Sequence, residues 1–198
     1  IPVAVAVQPD NKILVVGRTW RLEDFSDVDI FLARSTSSGI PDQGFGSNGK
    51  VIANIDGRDE ARDVIVQTDG KILVLLTTNP ITNPVQILVR YRSDGTLDSD
   101  FGTGGKVVMG FRANALTIQP DGKLVAAGWE VIDGRQGNAI GRYLSNGDPD
   151  PSFGSNGTVV TIAPDRHLHA LDVFVQPDGK IVAVGYGVTR YHGDGTID

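Results

Sequence analysis

The sequence predicts an all-β protein assembled from four copies of one antiparallel sheet. Three observations predict it: a hairpin block that recurs four times, turn spacings that never change, and short runs that are apolar at every residue. Gln8-Pro9-Asp10-Asn11-Lys12 returns as Gln67-Thr68-Asp69-Gly70-Lys71, Gln119-Pro120-Asp121-Gly122-Lys123 and Gln176-Pro177-Asp178-Gly179-Lys180. A second block, Phe45-Gly46-Ser47-Asn48-Gly49, returns as Phe101-Gly102-Thr103-Gly104-Gly105 and Phe153-Gly154-Ser155-Asn156-Gly157. A third anchor is an arginine: Arg34, Arg90, Arg142 and Arg190. Gln to Lys is always 4 residues and Arg to Phe is 11 in all three complete cases. Lys to Arg runs 22, 19, 19 and 10, and Phe to the next Gln runs 22, 18 and 23. Constant spacings mark local geometry, whereas variable ones mark loops whose added length costs little closure entropy.

Each unit resolves into four strands. Before each Gln, Val5/Val7, Val64/Val66, Leu116/Ile118 and Val173/Val175 alternate with mixed residues, the period of a strand. Pro-Asp-Gly then makes a turn: proline presets φ, aspartate bonds the backbone ahead, and glycine takes a left-handed conformation. Asn11 stands at that glycine position in the first copy, the residue next best suited to it. After the lysine come Ile13–Val16, Ile72–Leu75, Leu124–Ala127 and Ile181–Val184, closed by Gly17, Gly128 and Gly185, with Leu76 the exception. A strand apolar on both sides must be covered on both faces. A third strand carries the arginine, and a fourth follows the Phe-Gly turn at Lys50-Val51-Ile52, Lys106-Val107-Val108 and Thr158-Val159-Val160.

Four short antiparallel strands in a repeat of about 50 residues, sheet stacked on sheet, is the pattern of a β-propeller blade. No period of 3.6 residues competes with it. The expected domain is one propeller or propeller segment over 1–198, with repeats at 1–44, 45–100, 101–152 and 153–198 and fifteen strands. A piece of a larger ring is preferred to a closed ring of four blades.

Composition narrows the function. The 198 residues contain no cysteine, which excludes disulfides, thiolate metal sites and a thiol nucleophile. A net charge of −6 argues against nucleic acid as a partner. The longest aliphatic runs, Val3–Val7 and Ile72–Leu76, fall far short of the roughly 18 residues of a membrane span, so no membrane insertion is expected.

The blocks Ala115 to Gly128 (A-L-x-I-Q-P-D-G-K-L-V-A-A-G), Arg90 to Asp98 (R-Y-x-S-D-G-T-L-D) and Phe101 to Val107 (F-G-T-G-G-K-V) resemble the bacterial delta-60 repeat, a β-propeller family. The resemblance covers the whole chain. It implies a bacterial protein of the cell surface or exterior, without an assigned enzymatic activity, and it transfers no catalytic residues.

Candidate chemistry is weighed against structural roles. Asp94, Asp98 and Asp100 alternate in a glycine turn in the manner of a Ca²⁺ loop. Only the last aspartate recurs in every copy (Asp42, Asp98, Asp150, Asp198), which favours a turn-forming role. The repeated arginines (Arg34, Arg90, Arg142, Arg190), set in apolar strands, call for acidic partners. Those are either the turn aspartates Asp10, Asp69, Asp121 and Asp178 or the aspartates eight residues downstream. Asp165, His167 and His169 are weak metal candidates, two histidines on one side of a strand-like stretch in the longest connection of its class. Trp20 and Trp129, beside polar loop residues, are candidates for stacking on a sugar or anchoring a protein. Asn156-Gly157-Thr158 matches a glycosylation acceptor, but Asn48-Gly49 at the same place marks a hairpin turn instead.

The expected function is a non-enzymatic scaffold or interaction module that binds protein or carbohydrate through its loops, without a cofactor. Further propeller repeats or self-association would complete its ring. Two rivals are a polysaccharide hydrolase or lyase with a site in the central channel and a metal-stabilised adhesion module. The enzyme reading draws on Glu23, Asp24, Glu60 and Glu130, acids that break the repeat.

Overall fold

A computed structural model describes the backbone of residues 1–21, 24–81 and 83–198 and the side chains of 1–19, 28–81 and 83–198. Fifteen strands occur among the described residues, in four antiparallel sheets. The first holds β1 (Pro2–Val7), β2 (Ile13–Arg21), β3 (Asp24–Ser35) and β4 (Lys50–Ala53), and the second β5 (Asp59–Val66), β6 (Ile72–Thr78), β7 (Val85–Tyr91) and β8 (Lys106–Met109). The third holds β9 (Arg112–Ile118), β10 (Leu124–Ile132), β11 (Arg135–Tyr143) and β12 (Thr158–Thr161). The fourth has β13 (Ala170–Val175), β14 (Ile181–Gly185) and β15 (Val188–Tyr191). Strands pair with their neighbours in chain order throughout. The chain forms two compact units, Ile1–Val108 and Met109–Asp198.

The turns are built as the blocks suggest. In each hairpin the Gln N–H donates to the Lys carbonyl, as in Gln8 to Lys12 at 2.9 Å and Gln119 to Lys123 at 2.8 Å. The Asn11 or Gly N–H returns to the Gln carbonyl at 2.9 Å in all four copies. Asn11 has φ 63° and Gly122 has φ 84°, the left-handed residue of a type I turn closed by a bulge. The Phe-Gly turn is just as tight: Gly49 N–H donates to Phe45 O (3.0 Å), and Arg34 N–H donates to Gly49 O (2.8 Å). That geometry throws the following strand back onto the arginine strand, so β4 pairs with β3 and closes the first sheet. The sheets are therefore offset from repeat frames that begin at the phenylalanine.

In the first unit Leu14, Val16, Ile30 and Leu32 of one sheet meet Val64, Ile72, Val74 and Val89 of the next, with Phe45 and Tyr91 in the same cluster. In the second unit Val125, Ala127, Ile140 and Phe153 meet Val173, Ile181, Ala183 and Tyr191. All seven residues of β6 are buried, so both its faces are covered. β1 differs: Val5 and Val7 are 63% and 68% exposed, so only its Ala4 and Ala6 side faces the core.

The glycine that closes the apolar run has a steric cause. A Cβ on Gly128 would lie 1.8 Å from Arg112 O, and one on Gly185 would lie 1.8 Å from His169 O, where β9 and β13 bulge. The second sheet keeps the same bulge, between Ala61 and Asp63, with a fully buried Leu76 in the glycine's place. We expect Gly128→Ala to cost about 1–3 kcal/mol, the usual cost of forcing atoms into a packed site. Urea unfolding checks this, and an unchanged midpoint would contradict it.

Candidate functional site

Every copy carries the same charged clamp. Arg34 Nε donates to Asp42 Oδ2 at 2.7 Å, and Arg90 to Asp98 and Arg142 to Asp150 do so at 2.8 Å. Arg190 pairs with Asp198 in the same way. The partner is thus the aspartate eight residues downstream. The hairpin lysine adds a second cation: Lys12, Lys71 and Lys123 each stand 3.2 Å from that carboxylate. The guanidinium also lies over the anchor phenylalanine, with Arg34, Arg90 and Arg142 at 4.5, 4.4 and 4.6 Å from the ring centres of Phe45, Phe101 and Phe153. The other turn aspartates, Asp10, Asp69, Asp121 and Asp178, accept the backbone N–H two residues on at 3.1–3.2 Å. They shape the hairpin and stay at its surface.

The clamp also joins sheets. Within the first unit Arg34 Nη1 donates to the Ser93 carbonyl, Gly46 N–H donates to Asp94 O at 2.8 Å, and Gly95 lies against Phe45. Within the second, Arg142 Nη1 donates to the Gly193 carbonyl, Gly154 N–H donates to Asp194 O at 3.0 Å, and Gly195 lies against Phe153. One joint is built twice.

At the end of each Gln-to-Lys hairpin away from its turn the residues change from copy to copy, and in the fourth sheet β14 stops at Gly185, so Tyr186 lies in a bend. Two positions meet there: the residue after the closing glycine or its Leu76 counterpart (Arg18, Thr77, Trp129, Tyr186) and the residue seven before the Gln (Glu60, Arg112, His169). Cross-strand register places them side by side within a sheet, as with Trp129 opposite Arg112 and Thr77 opposite Glu60. Between sheets, Arg18 meets Glu60 at 2.7 Å in the first unit, and Trp129 meets His169 at 5.3 Å between ring centres in the second. The first of these rims is ionic: Arg58 and Arg62 also approach Glu60, at 3.5 and 3.6 Å. The second is aromatic. Arg112 lies 5.0 Å from the Trp129 ring centre, and His169 is 5.2 Å from Tyr186, edge to face. Asn114 Nδ2 donates to Ala170 O (2.8 Å) and to His169 Nε2 (3.0 Å). The imidazole proton therefore sits on Nδ1, an assignment that follows from the amide's orientation. Burial lowers the His169 pKa, so the ring is neutral at pH 7.

The remaining candidates are dispersed. Trp20, Glu23 and Asp24 lie outside the described side chains. His167 Nδ1 accepts the Gln136 N–H at 3.2 Å while His169 turns to Asn114, and the stretch before β13 is not a strand. Asp165 is exposed. Among the described residues no three acids or histidines form a group able to hold a metal ion. Asp94 is taken up by Thr96, whose N–H and Oγ1 lie 2.9 and 2.7 Å away, and Asp98 by Arg90. Arg18, Arg112 and Tyr186 escape a search for familiar motifs. Counting outward from the repeat's own anchors finds them.

A family model described as "Domain of unknown function (DUF5122) beta-propeller" matches residues 8–45, 67–101, 119–153 and 176–198. The chain belongs to this β-propeller family. Each match begins on the hairpin glutamine, and the first three end on the anchor phenylalanine, so the family's signature runs from hairpin through clamp. A propeller-repeat family is what the resemblance in the sequence implied. No curated protein matches the chain. A solved chain described as "Streptogramin B lyase structure" is similar over 100% of this chain and 53% of its own length, with a TM-score of 0.59 and 11% identity. The present chain thus spans about half of that protein, and the likeness concerns the propeller fold alone.

Proposed function

We propose that this DUF5122 β-propeller chain is a non-enzymatic binding module of a bacterial cell surface or exterior, and that it binds through the rim residues that follow its apolar hairpin strands. One observation carries this reading: equivalent rim positions hold an arginine–glutamate cluster in one unit and a tryptophan–histidine–tyrosine cluster in the other, on the same frame. A residue required by folding recurs, as the clamp does. One released from that duty is available for recognition. The compartment rests on the resemblance to delta-60 repeats.

The test compares the wild-type chain with an Arg18→Ser/Trp129→Ser/Tyr186→Ser variant of matching thermal unfolding, on a glycan array and on immobilised cell-envelope fractions. Retention by the wild type and loss by the variant are expected. Equal retention of both would overturn the rim as the binding surface. Release of reducing ends or unsaturated sugars from a polysaccharide would overturn the non-enzymatic assignment.

A further inference from the structure

Resting on that reading, we infer that the aromatic rim of the second unit binds a sugar bearing a carboxylate, a hexuronate within an acidic polysaccharide, with Tyr186 as the stacking face and Arg112 as the carboxylate fork. Tyr186 is 63% exposed, and among the described residues its ring meets one other ring, that of His169. An open phenol face of this kind suits the apolar face of a pyranose, and it loses little side-chain entropy on binding. Arg112 is also exposed, and it is held in place by the Trp129 ring beneath it. A guanidinium held over an indole ring retains N–H donors that suit a carboxylate. No carboxylate pairs with Arg112 among the described residues, in contrast to the clamp arginines. Glu130, next to Trp129, alternates to the other face of β10 and turns its carboxylate to the Val131 N–H at 2.9 Å.

Arg112 and His169 bring N–H donors to the cluster. Both Asn114 N–H groups are spent on Ala170 O and His169 Nε2, which fixes the histidine as a neutral Nδ1–H donor. A neutral histidine does not repel Arg112. A fork of guanidinium N–H groups, an imidazole N–H and an aromatic face together ask for a ring that presents acceptors and negative charge. The ring centres step by 5.3 Å from Trp129 to His169 and by 5.2 Å from His169 to Tyr186, dimensions of the order of one sugar ring.

Calorimetric titration of the wild-type chain with an oligouronate hexamer, a neutral hexamer of the same linkage and oligo-dT tests this. The oligouronate should bind most tightly, and its affinity should fall with added salt. Tyr186→Ala should weaken it roughly tenfold, about 1.4 kcal/mol. Arg112→Gln should bring acidic and neutral hexamers to equal affinity, and both exposed substitutions should leave the thermal midpoint in place. Equal wild-type affinity for the two hexamers, tighter binding of oligo-dT, or indifference to both substitutions would each overturn the inference. If no hexamer binds while the Arg18/Trp129/Tyr186 variant still loses envelope retention, the sugar assignment falls and the rim remains the binding surface. If that variant loses nothing, the wider reading falls as well.

Discussion

Arg142→Ala should lower the unfolding free energy by about 3–5 kcal/mol, the scale set by leaving one half of a buried ion pair behind. Arg142 and Asp150 are 4% and 2% exposed. Removing the guanidinium takes away the bond to Asp150, its contact with Ser152 Oγ at 3.0 Å, the link to the Gly193 carbonyl and the cover over Phe153. The loss therefore spans a pair, a turn and a sheet-to-sheet joint. Arg190→Ala is the internal control. That arginine makes the same pair with Asp198 but is 48% exposed, and its loss should cost under about 1 kcal/mol. Equal costs in urea titrations would contradict the buried-frame account. The clamp also sets an acid limit. Burial alone would raise the Asp150 carboxyl, but bonds from Ser152 and the charges of Lys123 and Arg142 override it and hold the group well below the ordinary range. Its stabilisation is complete above the unfolded value of 3.8 and is lost as the pH falls further, so unfolding in acid should become steeper there.

Asp59→Asn should have the opposite sign, a gain of about 1–3 kcal/mol at pH 7.5. Asp59 is fully buried at the start of β5. Its Oδ2 accepts the Ile55 N–H at 2.6 Å, whereas Oδ1 has no hydrogen-bond partner, as is also true of the buried hydroxyls of Thr78 and Tyr91. Burial raises its pKa from 3.8 to about 6, against the pull of the Ile55 and Asp56 backbone N–H groups, and the charges of Asp29 and Asp56 add to the rise. The folded chain thus holds this proton more tightly than the unfolded one. The resulting stability is fully present below pH 3.8 and is lost as the pH rises through about 6. At neutral pH the fold carries the cost of an ionised, half-satisfied carboxylate. An asparagine retains an acceptor for Ile55 without that charge. Melting curves at pH 4 and pH 7.5 should show the gain only at the higher value; the same gain at both would exclude the electrostatic cause.

The fold was legible because its causes are local and repeated. Period-two strands, a turn with one left-handed residue and a constant Gln-to-Lys spacing specify hairpins wherever they occur. The Arg–Asp pair was legible as one of two options, since a buried arginine must find an acid and only two recurred at fixed distances. The phase of the sheets was not. Which neighbour β4 joins depends on the Phe-Gly turn folding back on Arg34, a feature of backbone geometry that spacing alone leaves open. The rim was the least legible part. Arg18 and Glu60 are separated by 42 residues and meet only because two sheets stack. Their chemistry, unlike their position, is imposed by nothing in the repeat. Trp129 and His169 stood out as unusual residues, yet their contact with each other, and with Arg112 and Tyr186, needed the register of β9 with β10 and the path of the chain just outside β13 and β14.

The joint between sheets has a direction. Within each unit the arginine and phenylalanine come from the earlier sheet, and the accepting carbonyls and the small glycine from the later one. Tandem duplication of a segment coding for such a pair of sheets yields a copy that carries its own latch. Lineages can then lengthen the array by recombination and diversify its rim by point mutation, two evolutionary processes that do not interfere with each other.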